Sequence, residues 1–163
     1  MKKRIVAFTT IGVLVSIIIL KNLLFVEYKV EGVSMRPTYE EGSLLSINKY
    51  SHYFLPVKRF DVVVFRGPGK KEDYVKRVIG LPGDKIEYKD DQLLVNEEPV
   101  PEPYLSTNKL GTQTGDFTLK EKTGKRKIPE GYLFVIGDNR IQSYDSRHFG
   151  FVKADQVVGR VSE

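Results

Sequence analysis

The 163-residue chain contains no cysteine and only two histidines. Without cysteine it can build no disulfide framework, no thiolate nucleophile and no zinc–thiolate site. His52 and His148 stand far apart, the first in a Tyr/Phe-rich loop and the second in Ser146-Arg147-His148-Phe149. Two distant histidines do not make a metal centre, which needs ligands clustered at coordination spacing. No Gly-x-Ser-x-Gly elbow is present around which a histidine triad could form. No metal and no cofactor are expected. The body of the chain also lacks a basic excess: of the net charge of +5, four charges belong to Lys2, Lys3, Arg4 and Lys21, leaving +1 for the rest. Nucleic-acid binders concentrate Lys and Arg on a folded face, so no nucleic-acid partner is expected. Internal repeats, low-complexity segments and long helical periodicity are missing as well.

Long apolar runs are scarce, and the one that reaches membrane grade is residues 5–26. As a helix it would extend about 33 Å at about 1.5 Å per residue, enough to cross a hydrocarbon core of about 30 Å. The three basic residues before it place a short tail, residues 1–4, in the cytoplasm, and residues 27–163 then form an extracytoplasmic domain. The lipid bilayer is thus an expected partner. A cleavable signal peptide would begin in the same way but needs small residues soon after the apolar run. The chain offers Lys21-Asn22-Leu23-Leu24-Phe25-Val26-Glu27 there, and an uncleaved anchor is the better reading.

From Glu27 onward, β-branched and aromatic runs alternate with Gly, Pro, Asn and Asp at short spacing, which predicts a mostly β domain. Phe60 to Phe65 and Gly131 to Ile136 read as buried strands. Lys85–Lys89 and Gln92–Asn96 read as a hairpin turning at Asp90-Asp91. Ser43 to Tyr50 alternate moderately, and a last strand is predicted through Val157 to Val161. Residues 99–130, with several prolines, Thr and Gly, read as an inserted, partly mobile excursion. Its run Lys125-Arg126-Lys127 reads as a solvated loop, with anionic lipid as the sharper alternative.

Three stretches carry chemistry. In Tyr74-Val75-Lys76-Arg77-Val78-Ile79-Gly80-Leu81-Pro82-Gly83-Asp84 a lysine sits inside a strand pattern. With a usual pKa of about 10.4, only about one lysine in a few thousand is neutral at pH 7. Apolar walls lower that pKa and would make Lys76 a base. The bland alternative is a lysine that snorkels along the sheet edge. Ser34, in Gly32-Val33-Ser34-Met35-Arg36-Pro37-Thr38, is the best nucleophile to partner such a base, against the reading of an ordinary turn serine. Past the strand ending at Ile136, Gly137-Asp138-Asn139-Arg140 leads to Ser143, Asp145 and Arg147. Asp145 and Arg147 are two apart and can pair, and Ser143 could hold a neighbouring amine in one orientation.

Taken together and in this order, the anchor and these motifs, with Arg59 to Phe65 between them, resemble the bacterial type I signal peptidases, particularly the short Gram-positive form. The resemblance covers the whole chain. It implies a single transmembrane helix followed by a twisted, barrel-like β catalytic domain, a serine endopeptidase that removes signal peptides from exported preproteins. Ser34 would be the nucleophile and Lys76 the general base, with Ser143 orienting the amine. Asp145 would pair with Arg147 and with Arg77, and Asp138 would be structural. Substrates would carry small residues at the first and third positions before the cut, matched by a shallow apolar pocket near Met35. Gly32 stands where some members carry a serine that binds the oxyanion, so the backbone N–H of Ser34 is left to do so. The chain also ends early, at Glu163, which puts the completion of the sheet edge in question. Two rival readings are a self-cleaving repressor-like dyad and a non-catalytic, membrane-tethered β-module that binds extended peptides along a sheet edge.

Overall fold

The computed structural model describes residues 10–16, 24–48, 56–69, 72–105 and 112–162. Within the predicted anchor, residues 10–16 are helical, while 5–9 and 17–23, like the tail 1–4, lie outside the described residues. Among the described residues no helix is long and apolar enough to cross a membrane. Phe25 and Val26, read from sequence as the end of the anchor, open strand β1 (Phe25–Lys29) and pair with Asn48 and Ile47.

The described strands form two antiparallel sheets. The larger joins β1, β2 (Leu44–Asn48), β3 (Val62–Arg66), β4 (Asp73–Gly80), β9 (Tyr132–Ile136), β10 (Val152–Lys153) and β11 (Val157–Val161) in the order β1-β2-β11-β3-β4-β9-β10. The smaller joins β5 (Ile86–Lys89), β6 (Gln92–Val95), β7 (Glu98–Pro99) and β8 (Phe117–Thr118) in the order β7-β6-β5-β8. Two short helices complete the frame, α1 (Leu119–Thr123) and α2 (Ser146–Phe149). The mostly β expectation is met.

Composition explains the elements that fix the centre. β3 is apolar and buried from Val62 to Phe65, before its exposed last residue Arg66, and β9 is buried from Leu133 to Ile136, as strands in a sheet interior must be. The β5–β6 hairpin turns at Asp90 and Asp91 with φ of 52° and 59°, the left-handed pair that matches the twist of the flanking strands. β4 passes from exposed at Asp73 to buried from Lys76 through Gly80. Gly80 lets the second sheet press onto β4, since a Cβ there would stand 2.3 Å from Ile128 Cδ1.

One expectation changes. The segment 99–130 is not a loose insertion throughout: Phe117, Leu119 and Ile128 are buried in the core of the second sheet with Ile79, Tyr88 and Phe134. Scattered apolar residues in a polar stretch carry no periodicity, yet each fills a place in the space between the sheets. The last strand, β11, spans the predicted Val157–Val161 and lies between β2 and β3. Among the described strands the edges of the large sheet are β1 and β10.

Candidate active site

Lys76 is the first buried residue of β4 and is only 5% exposed. Its Nζ lies 2.7 Å from Ser34 Oγ and 2.9 Å from the Val75 carbonyl oxygen. The Tyr74 ring centroid stands 5.4 Å away. Among the described residues no carboxylate is hydrogen-bonded to the amine. Burial pushes its pKa down from 10.5 to about 8, and the more distant charges of Asp145 and Asp138 restore only part of the shift.

Ser34 sits in the turn that follows β1, and the Gly137–Asn139 turn beyond β9 grips that turn from the other side. The Asn139 N–H donates to the Ser34 carbonyl at 3.0 Å and Asn139 Nδ2 donates to the Val33 carbonyl at 3.2 Å. Thr38 Oγ1 donates to Asp138 Oδ2. Close approach requires glycine at 137, where a Cβ would stand 2.4 Å from the Ser34 carbonyl oxygen and 2.3 Å from Ser143 Oγ.

The carboxylates are shared differently from the sequence expectation. Arg77 pairs with Asp138 and not with Asp145: its Nε and Nη2 donate to the two carboxylate oxygens at 2.8 and 2.6 Å. Arg77 Nη1 also donates to the Phe60 carbonyl at 2.9 Å, and the guanidinium lies 3.9 Å from the Tyr104 ring centroid. Asp145 does pair with Arg147, through bonds of 2.9 and 2.8 Å, but it does so as the N-cap of α2 and not across a strand face. Its Oδ2 also accepts the Gly137 N–H at 3.1 Å. Burial raises the Asp145 pKa, but the bonds from Arg147 outweigh it and hold the carboxyl below its usual value.

Ser143 is buried against Gly137, and no hydrogen bond joins its hydroxyl to Lys76. The expected orienting contact is not formed in this structure; the second partner of the amine is the Val75 carbonyl oxygen. Met35 is 1% exposed and belongs to the core with Val30, Leu45 and Ile47. It also lines a groove of about 430 Å³ that runs past Gly32, Ser34 and Lys76. His148 is half exposed and stacks on Tyr144, while His52 lies outside the described residues.

Sequence reasoning passed over three features of the site. Asn139 and Thr38 lie within the motifs around Ser34 and Asp138, and both brace the Ser34 turn. Arg140, next in the chain, turns away into the second sheet, where it donates to Glu102 at 2.6 Å and to the Tyr88 and Tyr104 hydroxyls at 3.1 Å. Its position after Gly137-Asp138-Asn139 was the available signal, but nothing in the local sequence points to Glu102.

Frame and groove together suit a hydrolase that takes an extended peptide. Residues 2–163 match the family described as "Signal peptidase, peptidase S26". The chain is 58% identical over 146 residues to signal peptidase I of Bacillus caldolyticus, covering 87% of this chain and 80% of the relative. It is 51% identical over 167 residues to signal peptidase I V of Bacillus subtilis strain 168, covering 100% and 99%. A crystal structure of a signal peptidase I from Enterococcus faecalis V583 superposes with a TM-score of 0.61 at 43% identity, covering 65% of this chain and 97% of that one. The chain belongs to the S26 signal peptidase family.

Proposed function

We propose that this protein is a serine endopeptidase that removes signal peptides from exported preproteins, with Ser34 as nucleophile and Lys76 as general base. The observation that carries the reading is the 2.7 Å approach of a buried lysine amine, bonded to no carboxylate among the described residues, to a serine hydroxyl on a groove wall. In the neutral form the amine accepts the Ser34 proton as Oγ attacks the scissile carbonyl. Lys76 then protonates the leaving amine and activates the deacylating water. The Ser34 N–H serves the oxyanion, with Gly32 leaving room beside it.

The Val75 carbonyl, accepting from Nζ, takes the orienting role that sequence gave to Ser143. Asp138 with Arg77, and Asp145 with Arg147, act at one remove by fixing the Gly137–Asn139 turn against the Ser34 turn. An extended preprotein fits beside residues 73–76 of β4. The apolar segment before β1 holds the enzyme at the membrane with its catalytic domain outside, where cleavage sites emerge, and replaces a three-dimensional search with a local one.

Cleavage of a preprotein with an Ala-x-Ala site by the detergent-solubilised full chain tests this reading, beside Ser34→Ala and Lys76→Ala with folding checked by circular dichroism. Loss of product in both variants is expected. Cleavage that survives either substitution would overturn the dyad and favour a peptide-binding module.

A further inference from the structure

Among the described residues, none of those lining the groove belongs to the second sheet, β5–β8. One acidic residue just beyond β7 nevertheless reaches the turn that presses on Ser34. Glu102 stands in Pro101-Glu102-Pro103-Tyr104. Proline fixes its own φ and keeps the residue before it extended, so a carboxylate between two prolines starts from a stiff backbone. The Val100 N–H donates to the Leu93 carbonyl at 2.9 Å and ties the segment to β6, and the Leu105 N–H donates to the Glu102 carbonyl at 3.0 Å.

Glu102 Oε1 accepts from Arg140 Nη2 at 2.6 Å, from the Tyr88 hydroxyl at 2.9 Å and from the Tyr104 hydroxyl. Each tyrosine in turn accepts from the arginine, Tyr88 from Nη1 and Tyr104 from Nη2, both at 3.1 Å. Arginine, tyrosine and carboxylate thus close a ring of hydrogen bonds on either side, and the planar guanidinium fork can point one way only. The Arg140 and Glu102 side chains are 0% and 7% exposed, so water does not compete for these bonds. Stability alone does not account for such a pair: exchanging a buried ion pair for apolar residues of similar volume is often neutral or stabilising. What apolar residues would not supply is direction.

From this cluster two paths lead to one turn. Arg140 is the residue after Asn139, which donates to the Ser34 and Val33 carbonyls. The Tyr104 ring lies 3.9 Å from the Arg77 guanidinium, and Arg77 holds Asp138 with two bonds. Glu102 therefore bears on residue 138 from one side and on residue 140 from the other, with Asn139 between them. We propose that Glu102 is a positioning residue for the reaction: through Arg140 and Tyr104 it sets the turn at 138–140, and through that turn the approach of Ser34 Oγ to the Lys76 amine. This inference rests on the Ser34–Lys76 reading given above.

The test uses the full chain in detergent, with Glu102→Leu alone and combined with Arg140→Met. The single substitution strands a buried cation and should destabilise the protein, whereas the double one removes both charges and should unfold in urea near the wild-type midpoint. With an Ala-x-Ala preprotein, the folded double variant should lose about tenfold to a hundredfold in kcat, the scale of a misplaced reacting group, while KM stays within about twofold. Added to Asn139→Ala, the same double substitution should cost far less than it costs in wild type, because both act through one turn. Amide NMR signals of residues 33–35 and 137–139 give a readout that needs no catalysis, and both sets should move in the double variant. A double variant that does not fold, wild-type kcat in a folded one, a loss carried by KM, a loss that multiplies with that of Asn139→Ala, or unmoved signals at 33–35 would each overturn the proposal. Signals that move in a protein whose wild type does not cleave would leave the hold of Glu102 on the Ser34 turn standing and defeat the catalytic reading; wild-type cleavage with an unaffected double variant would do the reverse.

Discussion

Lys76 and Arg77 are neighbours on one strand, each 5% exposed, yet they face opposite sides of β4 and meet opposite environments. Arg77 has a carboxylate of its own, Asp138, held by two bonds. Lys76 has a hydroxyl and a carbonyl. Burial lowers the pKa of both, but for Arg77 the Asp138 bonds outweigh it and the net shift is upward, while for Lys76 the shift stays downward to about 8. A buried charge without a counter-ion is costly, and the fold leaves that cost unrelieved at one residue only of the pair. The unrelieved cation is the one that can give up its proton. Arg140, salt-bridged to Glu102 between the sheets, follows the pattern of Arg77.

The comparison breaks most severely if either member of the Ser34–Lys76 contact is removed. Ser34→Ala or Lys76→Ala should lower kcat for preprotein cleavage by about a thousandfold or more, as removal of a nucleophile or its base does in other serine hydrolases. Removing the counter-ion on the other face comes next. Asp138→Ala leaves Arg77 buried and unpaired and should cost about 3–5 kcal/mol in urea unfolding, much of it recovered in the double substitution Arg77→Met with Asp138→Leu.

Lys76→Met should have the opposite sign, with inactive but more stable protein at pH 7. A shift from 10.5 to about 8 corresponds to about 3 kcal/mol, and the two lost hydrogen bonds reduce the expected gain to about 1–3 kcal/mol. The unfolded chain binds a proton at this lysine between pH 8 and 10.5 that the folded chain does not. Wild-type stability from this residue therefore rises across that window, and the advantage of Lys76→Met closes above it. A methionine variant no more stable than wild type at pH 7 would mean that Lys76 is solvated.

Much of this was legible in the chain. Continuous apolar runs mark β3 and β9, the paired aspartates mark the β5–β6 turn, and a lysine inside a strand pattern marks itself as unusual. Pairing across distance was not legible. Asp138 and Asp145 are seven residues apart on one polar segment, and nothing local says which of them meets Arg77. Phe25 and Val26 suit either the end of an apolar helix or a half-buried strand, and only pairing with β2 decides. Both its hydroxyl and the family resemblance point to Ser143 as the residue that orients the amine, whereas the lysine finds its second partner in the carbonyl of the preceding residue. Such partners have no signature in residue type.

The most direct test of the account is the pH dependence of kcat/KM for preprotein cleavage by the full chain, measured from pH 6 to 11 beside NMR titration of the Lys76 amine. An unpaired buried base predicts activity that rises with pH and levels off through an inflection near 8, matched by the titration of Lys76 itself. A lysine that titrates near its ordinary value of 10.5 while cleavage proceeds unchanged at neutral pH would contradict it.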